Sequence, residues 1–289
     1  MIVGVVGNPR YGDLAAVLRD LQEMAPRFGV QLASEPRLEP AWGRPMPHLA
    51  VEPLDALLTF GGDGTLLRGA RLLNGAEVPV LGVNLGRVGF LTGVSRQELP
   101  LALEALVRQD YHLERRLALH AVVMHVDGPV LSTQRALNDV AIHKGGVARV
   151  VRVRVLIDGE DVGPFSADGI IIATPTGSTA YSLSAGGPIL LPGVAALCVT
   201  PICAHTLAVR PLVAAASSTI VVEPIEGWAD DLLVSFDGQT GFTLAEGARV
   251  EVRRADTAVC LVRLNRQGYF TLLRDKLNWG DLTEREVER

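Results

Sequence analysis

Lysine is nearly missing from this chain. Lys144 and Lys276 are the only two, and arginine supplies the rest of the 27 basic residues. Set against 32 acidic residues, they leave a net charge of −5, which weighs against a nucleic-acid-binding surface. The arginine bias would suit phosphate-binding forks, but a GC-rich coding sequence explains it more simply. Cysteine is scarce too. Cys198, Cys203 and Cys260 are odd in number, lie in apolar runs and form no CxxC pair. That excludes a disulfide framework and leads us to expect reduced thiols in a cytoplasmic protein. His48, His112, His120, His125, His143 and His205 are scattered without zinc-like spacing, so no protein-held metal site is expected. No apolar run reaches the length of a membrane span. The start, MIVGVVGNPR, lacks the basic region and apolar length of a signal peptide.

What is present is an ordinary globular composition, 48% hydrophobic and 20% charged over 289 residues. This is enough for one large or two medium domains. Strand and helix patterns alternate in the first third. Ile2 to Val6 reads as a buried strand. Leu14, Val17, Leu18, Leu21 and Met24 then recur at helical spacing up to a Gly29 C-cap. Residues 35 to 53 are proline-rich and read as a loop. Strands follow at Leu57–Phe60 and Val78–Val83, and helices at 63–73 and 95–109. Such units indicate a parallel sheet flanked by helices. After about residue 112 helical periodicity vanishes. Val151-Arg152-Val153-Arg154-Val155 alternates with period two. Asp158-Gly159, Asp168-Gly169 and Asp237-Gly238 read as turns between β-rich runs, with strands at 218–223, 232–236, 248–253 and 258–264. The expected fold is therefore an α/β N-terminal domain and an all-β, sandwich-like C-terminal domain. We place the boundaries at residues 1–112 and 113–267. A helical tail, 268–289, is expected to return to the first domain.

Four stretches carry chemistry. In Gly61-Gly62-Asp63-Gly64-Thr65 a strand collapses into glycines and opens a helix. No GK[ST] follows it, and it is not the dinucleotide GxGxxG. Bare backbone N–H groups at a helix N-terminus favour a phosphate. A carboxylate there needs another object, a hydroxyl to activate or a metal to hold, unless Asp63 only caps the helix. Asn84-Leu85-Gly86-Arg87-Val88-Gly89-Phe90-Leu91 ends another strand and could form a second wall, or a glycine-permitted turn. Asn138-Asp139, between apolar residues, could meet ribose hydroxyls and an adenine edge, or be a turn. The run from Asp168 through Thr174-Pro175-Thr176-Gly177-Ser178-Thr179-Ala180-Tyr181-Ser182-Leu183-Ser184 to Pro188 follows a buried Ile-Ile-Ile strand. Its hydroxyls, glycines and tyrosine suit a sugar and a base.

In order, GGDGT, NLGRVGFL, NDVAI, DGIIIATPTGSTAYSLSAGGP, FDGQ and the tail from Tyr269 to Trp279 resemble NAD kinases over nearly the whole chain. The resemblance implies transfer of the γ-phosphoryl group of ATP, or another donor, to the 2′-hydroxyl of the adenosine ribose of NAD, giving NADP. It implies Asp63 as proton acceptor, Gly61, Gly62 and Gly64 as the phosphate-donor loop, and a divalent ion, Mg²⁺, on the donor phosphates. For NAD it implies contacts from Gly64, Arg68, Asn138, Asp139, Arg149, Ser166, Asp168, Thr179, Ala180, Tyr181, Ser184 and Gln239. Asn138 and Asp139 match an Asn-Glu pair for adenine and a ribose, and Asp168 matches a carboxylate facing the nicotinamide carboxamide. It further implies a homodimer or homotetramer, while the acidic balance and the lack of a membrane-length run lead us to expect no nucleic acid and no membrane partner. Two positions depart from the family pattern: Asp139 where glutamate is commoner, and Ala204 where proline more often precedes His205. Two rivals remain. A GGDG-type diacylglycerol or sphingosine kinase would usually continue GGDGT with Asn-Glu rather than Leu66-Leu67-Arg68. A non-catalytic dinucleotide-binding module would not need Asp63 among phosphate-binding glycines.

Overall fold

The computed structural model describes residues 1–86, 89–126, 128–145, 150–206, 208–225, 232–245, 247–264 and 268–278. The described chain divides into two compact units. The first draws on Met1–Leu72, Val78–Glu114 and Cys260–Arg289, the second on Leu73–Glu77 and Arg115–Val259.

In the first unit, Ile2–Gly7 and Ala56–Gly61 are apolar strands buried along almost their whole length, as strands covered on both faces must be. They run parallel, with Val3 opposite Ala56 and Gly7 opposite Phe60. The spatial order is Gln31–Ser34, Ile2–Gly7, Ala56–Gly61, Val80–Asn84, Val259–Arg263, His112–Arg116, with Val94–Ser95 also on Val80–Asn84. The chain turns out to one side of Ile2–Gly7 and comes back on the other, so strand order reverses there. In an open parallel sheet such a reversal leaves a crevice at the carboxyl ends of the two strands. Gly7-Asn8 and Gly61-Gly62 occupy those ends. The helix Leu14–Met24 buries Leu14, Val17, Leu18 and Leu21, and Leu99–Arg108 buries Leu99, Ala102, Leu103 and Leu106. Both stripes have the spacing that turns one helix face to the core. Gly29 adopts φ +67° after the turn Ala25–Phe28, as its C-cap position requires.

The second unit is a pair of six-stranded antiparallel sheets. One runs Glu160–Ala167, Val151–Ile157, Ile220–Pro224, Ala248–Arg254, Leu119–His125, Val130–Ala136. The other runs Leu212–Ala215, Ala196–Ile202, Gly169–Ala173, Asp139–Lys144, Leu232–Phe236, Thr240–Thr243. Val123, Val153 and Val250 of the first sheet share one core with Ile142, Ile170 and Val234 of the second. Two layers packed on alternate side chains are a β-sandwich. Val151 to Val155 alternates buried and exposed, as its period-two pattern foretells. Gly169–Ala173 is buried at every residue, because its outer face, Ile171 and Ala173, packs with Ala185 and Leu190 in a second small cluster.

Three local readings change. Residues 36–41 of the expected proline-rich loop form a 3-10 helix, Pro36–Ala41. Val259–Arg263, expected in the β-rich domain, lies beside Val80–Asn84 in the first sheet, Leu261 pairing with Val80 in parallel. A short apolar run fits a buried strand of either kind, so composition does not choose between them. Asp168-Gly169 is not a hairpin turn like Asp158-Gly159 and Asp237-Gly238, whose residues all have positive φ. Gly169 instead opens a strand between His143 and Ile202. A Cβ there would approach the Ile142 carbonyl oxygen to 2.5 Å, and glycine permits that spacing.

Candidate active site

In the first unit the strand ends at Gly61, with φ +154°, and helix Asp63–Leu72 starts two residues later. The Gly62 carbonyl accepts Thr65 N–H at 2.9 Å, closing the first turn. Gly64 is exposed at this N-terminus, while Gly62 and Asp63 are half-buried. Tyr11 stands over the turn: a Cβ on Gly62 would lie 3.5 Å from its hydroxyl, and one on Gly86 would lie 3.2 Å from its ring.

Asp63 is gripped by the loop that follows Gly89. Its Oδ2 accepts Phe90 N–H at 2.7 Å. Its Oδ1 accepts Leu91 N–H at 3.0 Å and Thr92 N–H at 3.1 Å, with the Thr92 hydroxyl at 3.4 Å. Any Cβ on Gly89 would overlap this carboxylate, so the glycine of NLGRVGFL exists to let the loop close on Asp63. A carboxylate offers about four lone-pair sites. Among the described residues Oδ1 is crowded, whereas Oδ2 takes a single amide and keeps room for a hydroxyl donor. Beside the turn, Asn84 pairs with Gly61 in the sheet. Its Oδ1 accepts Gly86 N–H at 2.7 Å, while its buried Nδ2 has no hydrogen-bond partner among the described residues. An orphaned buried donor is costly, and an anion at this strand end would satisfy it.

Arg68 has a different immediate role from the one expected of it. Its guanidinium forms a two-pronged ion pair with Glu35, which is only 4% exposed, and donates to the Gly7 carbonyl at 2.7 Å. Glu35 also accepts Gly7 N–H at 2.8 Å. The pair thereby braces the end of the first strand against the helix that carries Asp63.

In the second unit, Asn138-Asp139, Thr174 and Asp237 meet at one end of a sheet. Asp139 pairs with Ala173, and Val140 with Phe236. Thr174 donates its hydroxyl to Leu137 O at 2.6 Å and its N–H to Asn138 O at 2.9 Å. The Asp237-Gly238 turn folds a carboxylate back onto Asn138-Asp139. Asp237 accepts N–H from Leu137 at 3.0 Å, Asn138 at 2.6 Å and Asp139 at 3.3 Å. Asp139, 4% exposed, lies beside it. Burial pushes the Asp139 carboxyl up to about 7, and the Asp237 charge adds to the effect.

The hydroxyl-rich run divides in two. Thr174, Ser178 and Ser182 are fully buried and bonded within the protein: Ser178 to Pro175 O at 2.7 Å and Leu190 N at 2.9 Å, Ser182 to Thr200 at 2.8 Å. These build the loop and are closed to a ligand. Tyr181 and Ser184 are exposed, and Thr179 and Ala180 are half-buried. Tyr181 is raised above the usual phenol range by burial and by nearby Cys203, Asp139 and Asp168, so those groups share its surroundings. Asp168 is ion-paired with Lys144 at 2.8 Å. The loop after the adjacent strand returns to Ser166, whose carbonyl accepts His205 N–H at 2.9 Å, with Cys203 at φ +47°. Gln239 follows the Asp237 turn and is exposed. Arg149, Arg87, Val88 and Trp279 lie outside the described residues. Tyr11, Glu35 and Thr92 gave no signal in the sequence. Asn84 and Asp237 stood within stretches singled out there, NLGRVGFL and the Asp-Gly turn of FDGQ, but neither was given a role of its own.

Residues 5–111 match the ATP-NAD kinase N-terminal domain and residues 137–264 the ATP-NAD kinase C-terminal domain. An NAD kinase of Gemmatimonas aurantiaca is 48% identical over 288 residues, covering 100% of this chain and 99% of the relative. One from Desulforamulus reducens is 37% identical, covering 95% and 96%. Among solved structures, yeast NADH kinase complexed with NADH superposes with a TM-score of 0.86 at 27% identity, covering 97% of this chain and 88% of that one. An NAD kinase from Archaeoglobus fulgidus in complex with ATP gives 0.75 at 26%, covering 96% and 99%. Matched in both halves and along its whole length, the chain belongs to the NAD kinase family.

Proposed function

We propose that this enzyme transfers the γ-phosphoryl group of ATP to the 2′-hydroxyl of the adenosine ribose of NAD, giving NADP. The observation that carries the reading is the Asp63 carboxylate. It sits at a helix N-terminus beside bare glycines, held by Phe90, Leu91 and Thr92 amides, with Oδ2 taking only one of them. Gly61, Gly62 and Gly64, with the orphaned Asn84 amide, suit the donor phosphates. In the second unit Asn138, Asp139, Thr179, Ala180, Tyr181 and Ser184 suit the adenosine. Ser166, Asp168, Arg149 and Gln239 complete the NAD contacts, and Arg68 acts through Glu35 and the Gly7 strand end.

A ribose hydroxyl is a very weak acid, so a carboxylate does not deprotonate it in advance. Phosphoryl transfer is loose, with modest demand on the nucleophile. Asp63 therefore orients the hydroxyl and takes its proton late, and alignment and charge neutralisation do the rest. Among the described residues no three His, Cys, Asp or Glu side chains gather as a metal site. A divalent ion, Mg²⁺ in our reading, comes with the ATP phosphates, which need few protein ligands to hold it. No helix among the described residues is long and apolar enough to cross a membrane. Cys198, Cys203 and Cys260 form no disulfide, which suits a cytoplasmic protein, and the family resemblance favours a homo-oligomer.

The test is purified protein with ATP, Mg²⁺ and NAD, read by an NADP-specific dehydrogenase. NADP formation supports the reading. Tight NAD binding without product, or phosphorylation of diacylglycerol or sphingosine in its place, refutes it.

A further inference from the structure

The loop that grips Asp63 is itself gripped from behind. Arg263 ends the strand Val259–Arg263, about two hundred residues after Asp63. Its Nη2 donates to Phe90 O at 3.2 Å and its Nη1 to Leu91 O at 2.8 Å. The same two peptide groups donate their N–H to Asp63. The Phe90–Leu91 peptide takes the guanidinium at its oxygen and gives Leu91 N–H to Oδ1. The Leu91–Thr92 peptide takes the guanidinium at its oxygen and gives Thr92 N–H to Oδ1. A trans peptide carries its C=O and N–H on opposite sides. Each of these dipoles therefore points from a cation to an anion, and each hydrogen bond polarises the next.

The fork is itself fixed. Arg263 is 15% exposed, and its Nε donates to Glu114 Oε2 at 3.1 Å. A Cβ at Gly93 would lie 3.0 Å from Nη1, so the space beside the guanidinium is closed. Planar and five-donored, arginine can serve two carbonyls and a carboxylate at once; lysine, a point charge, cannot.

We propose that Arg263 is a positioning residue for Asp63, acting through the Phe90–Leu91 and Leu91–Thr92 peptides and oriented by Glu114. The relay anchors Oδ1 and turns Oδ2, with its single amide, toward the hydroxyl whose proton it takes. The inference rests on the reading of Asp63 as proton acceptor.

A double-mutant cycle on the full chain tests it, with kcat and KM measured for wild type, R263M, D63N and the pair. R263M is expected to lower kcat on the order of 10- to 100-fold, with KM for NAD within about threefold. R263K should recover only part of the loss, since it returns charge without the fork. In the D63N background R263M should add less than about twofold, because the group it positions is gone. The same factor in both backgrounds, or an unchanged kcat in R263M, overturns the proposal. If R263M does not fold, Glu114→Gln keeps the cation and loosens the fork. Its smaller kcat loss must likewise vanish in D63N, and persistence there overturns the proposal. D63N alone retaining wild-type kcat would instead refute the role given to Asp63, a separate outcome.

Discussion

Replacing Asp139 by asparagine should make the protein more stable at alkaline pH and leave it unchanged in acid. Asp139 is 4% exposed and sits beside the Asp237 carboxylate. Its carboxyl is raised from 3.8 to about 7, a difference of about 3 units, worth roughly 4 kcal/mol at about 1.4 kcal/mol per unit. The sign follows from proton counting. Between about pH 4 and 7 the folded chain holds a proton here that the unfolded chain has released, so stability falls as pH rises. The contribution is fully present below 3.8 and is lost once pH passes 7. Asparagine is close in shape to the neutral acid and has no such step. The variant should melt higher at pH 8, by on the order of 10 °C for a unit of this size, and the gap should close toward pH 4. The assay is the thermal midpoint of both proteins from pH 4 to 8, compared as a difference so that other titrations cancel. NAD should narrow the gap at pH 8, because ribose hydroxyls donating to the Asp139 carboxylate offset its cost. Parallel midpoint curves between pH 5 and 8 would refute the reasoning.

Two further substitutions probe each unit by itself. Gly89→Ala drives a methyl into the Asp63 carboxylate. It should lower kcat on the order of 100-fold with NAD affinity kept; a kcat within about twofold would show that the loop yields without displacing Asp63. Tyr181→Ala should raise KM for NAD roughly two- to tenfold, the value of one aromatic contact, with kcat little changed. An unchanged KM removes the stacking role.

Much of this was legible because local rules and tertiary structure agree. The helical stripe Leu14 to Leu21, the alternation Val151 to Val155 and the paired positive φ of Asp158-Gly159 and Asp237-Gly238 each follow from residue types. Gly61-Gly62-Asp63 sits at a strand end opening a helix, as its composition demands. The placement of Val259–Arg263 was not legible, since an apolar pentapeptide carries no record of its neighbour strand. The hydroxyl-rich run reads uniformly as ligand-facing, yet Thr174, Ser178 and Ser182 are turned inward. Short hydroxyls satisfy backbone as readily as a sugar, and only burial separates the two uses. Glu35 and Arg263 escaped for another reason. Each acts on a backbone group far along the chain, and a side chain that binds a carbonyl leaves no motif.

If Asp63 accepts the proton of an NAD hydroxyl, Asp63→Asn removes that acceptor and keeps the shape of the site. Steady-state NADP formation with ATP and Mg²⁺ should be measured beside the NAD dissociation constant of the same preparation. kcat is expected to fall on the order of 10²- to 10⁴-fold, with NAD affinity within about threefold. Activity within a few-fold of wild type, or a loss explained by NAD affinity alone, would contradict it.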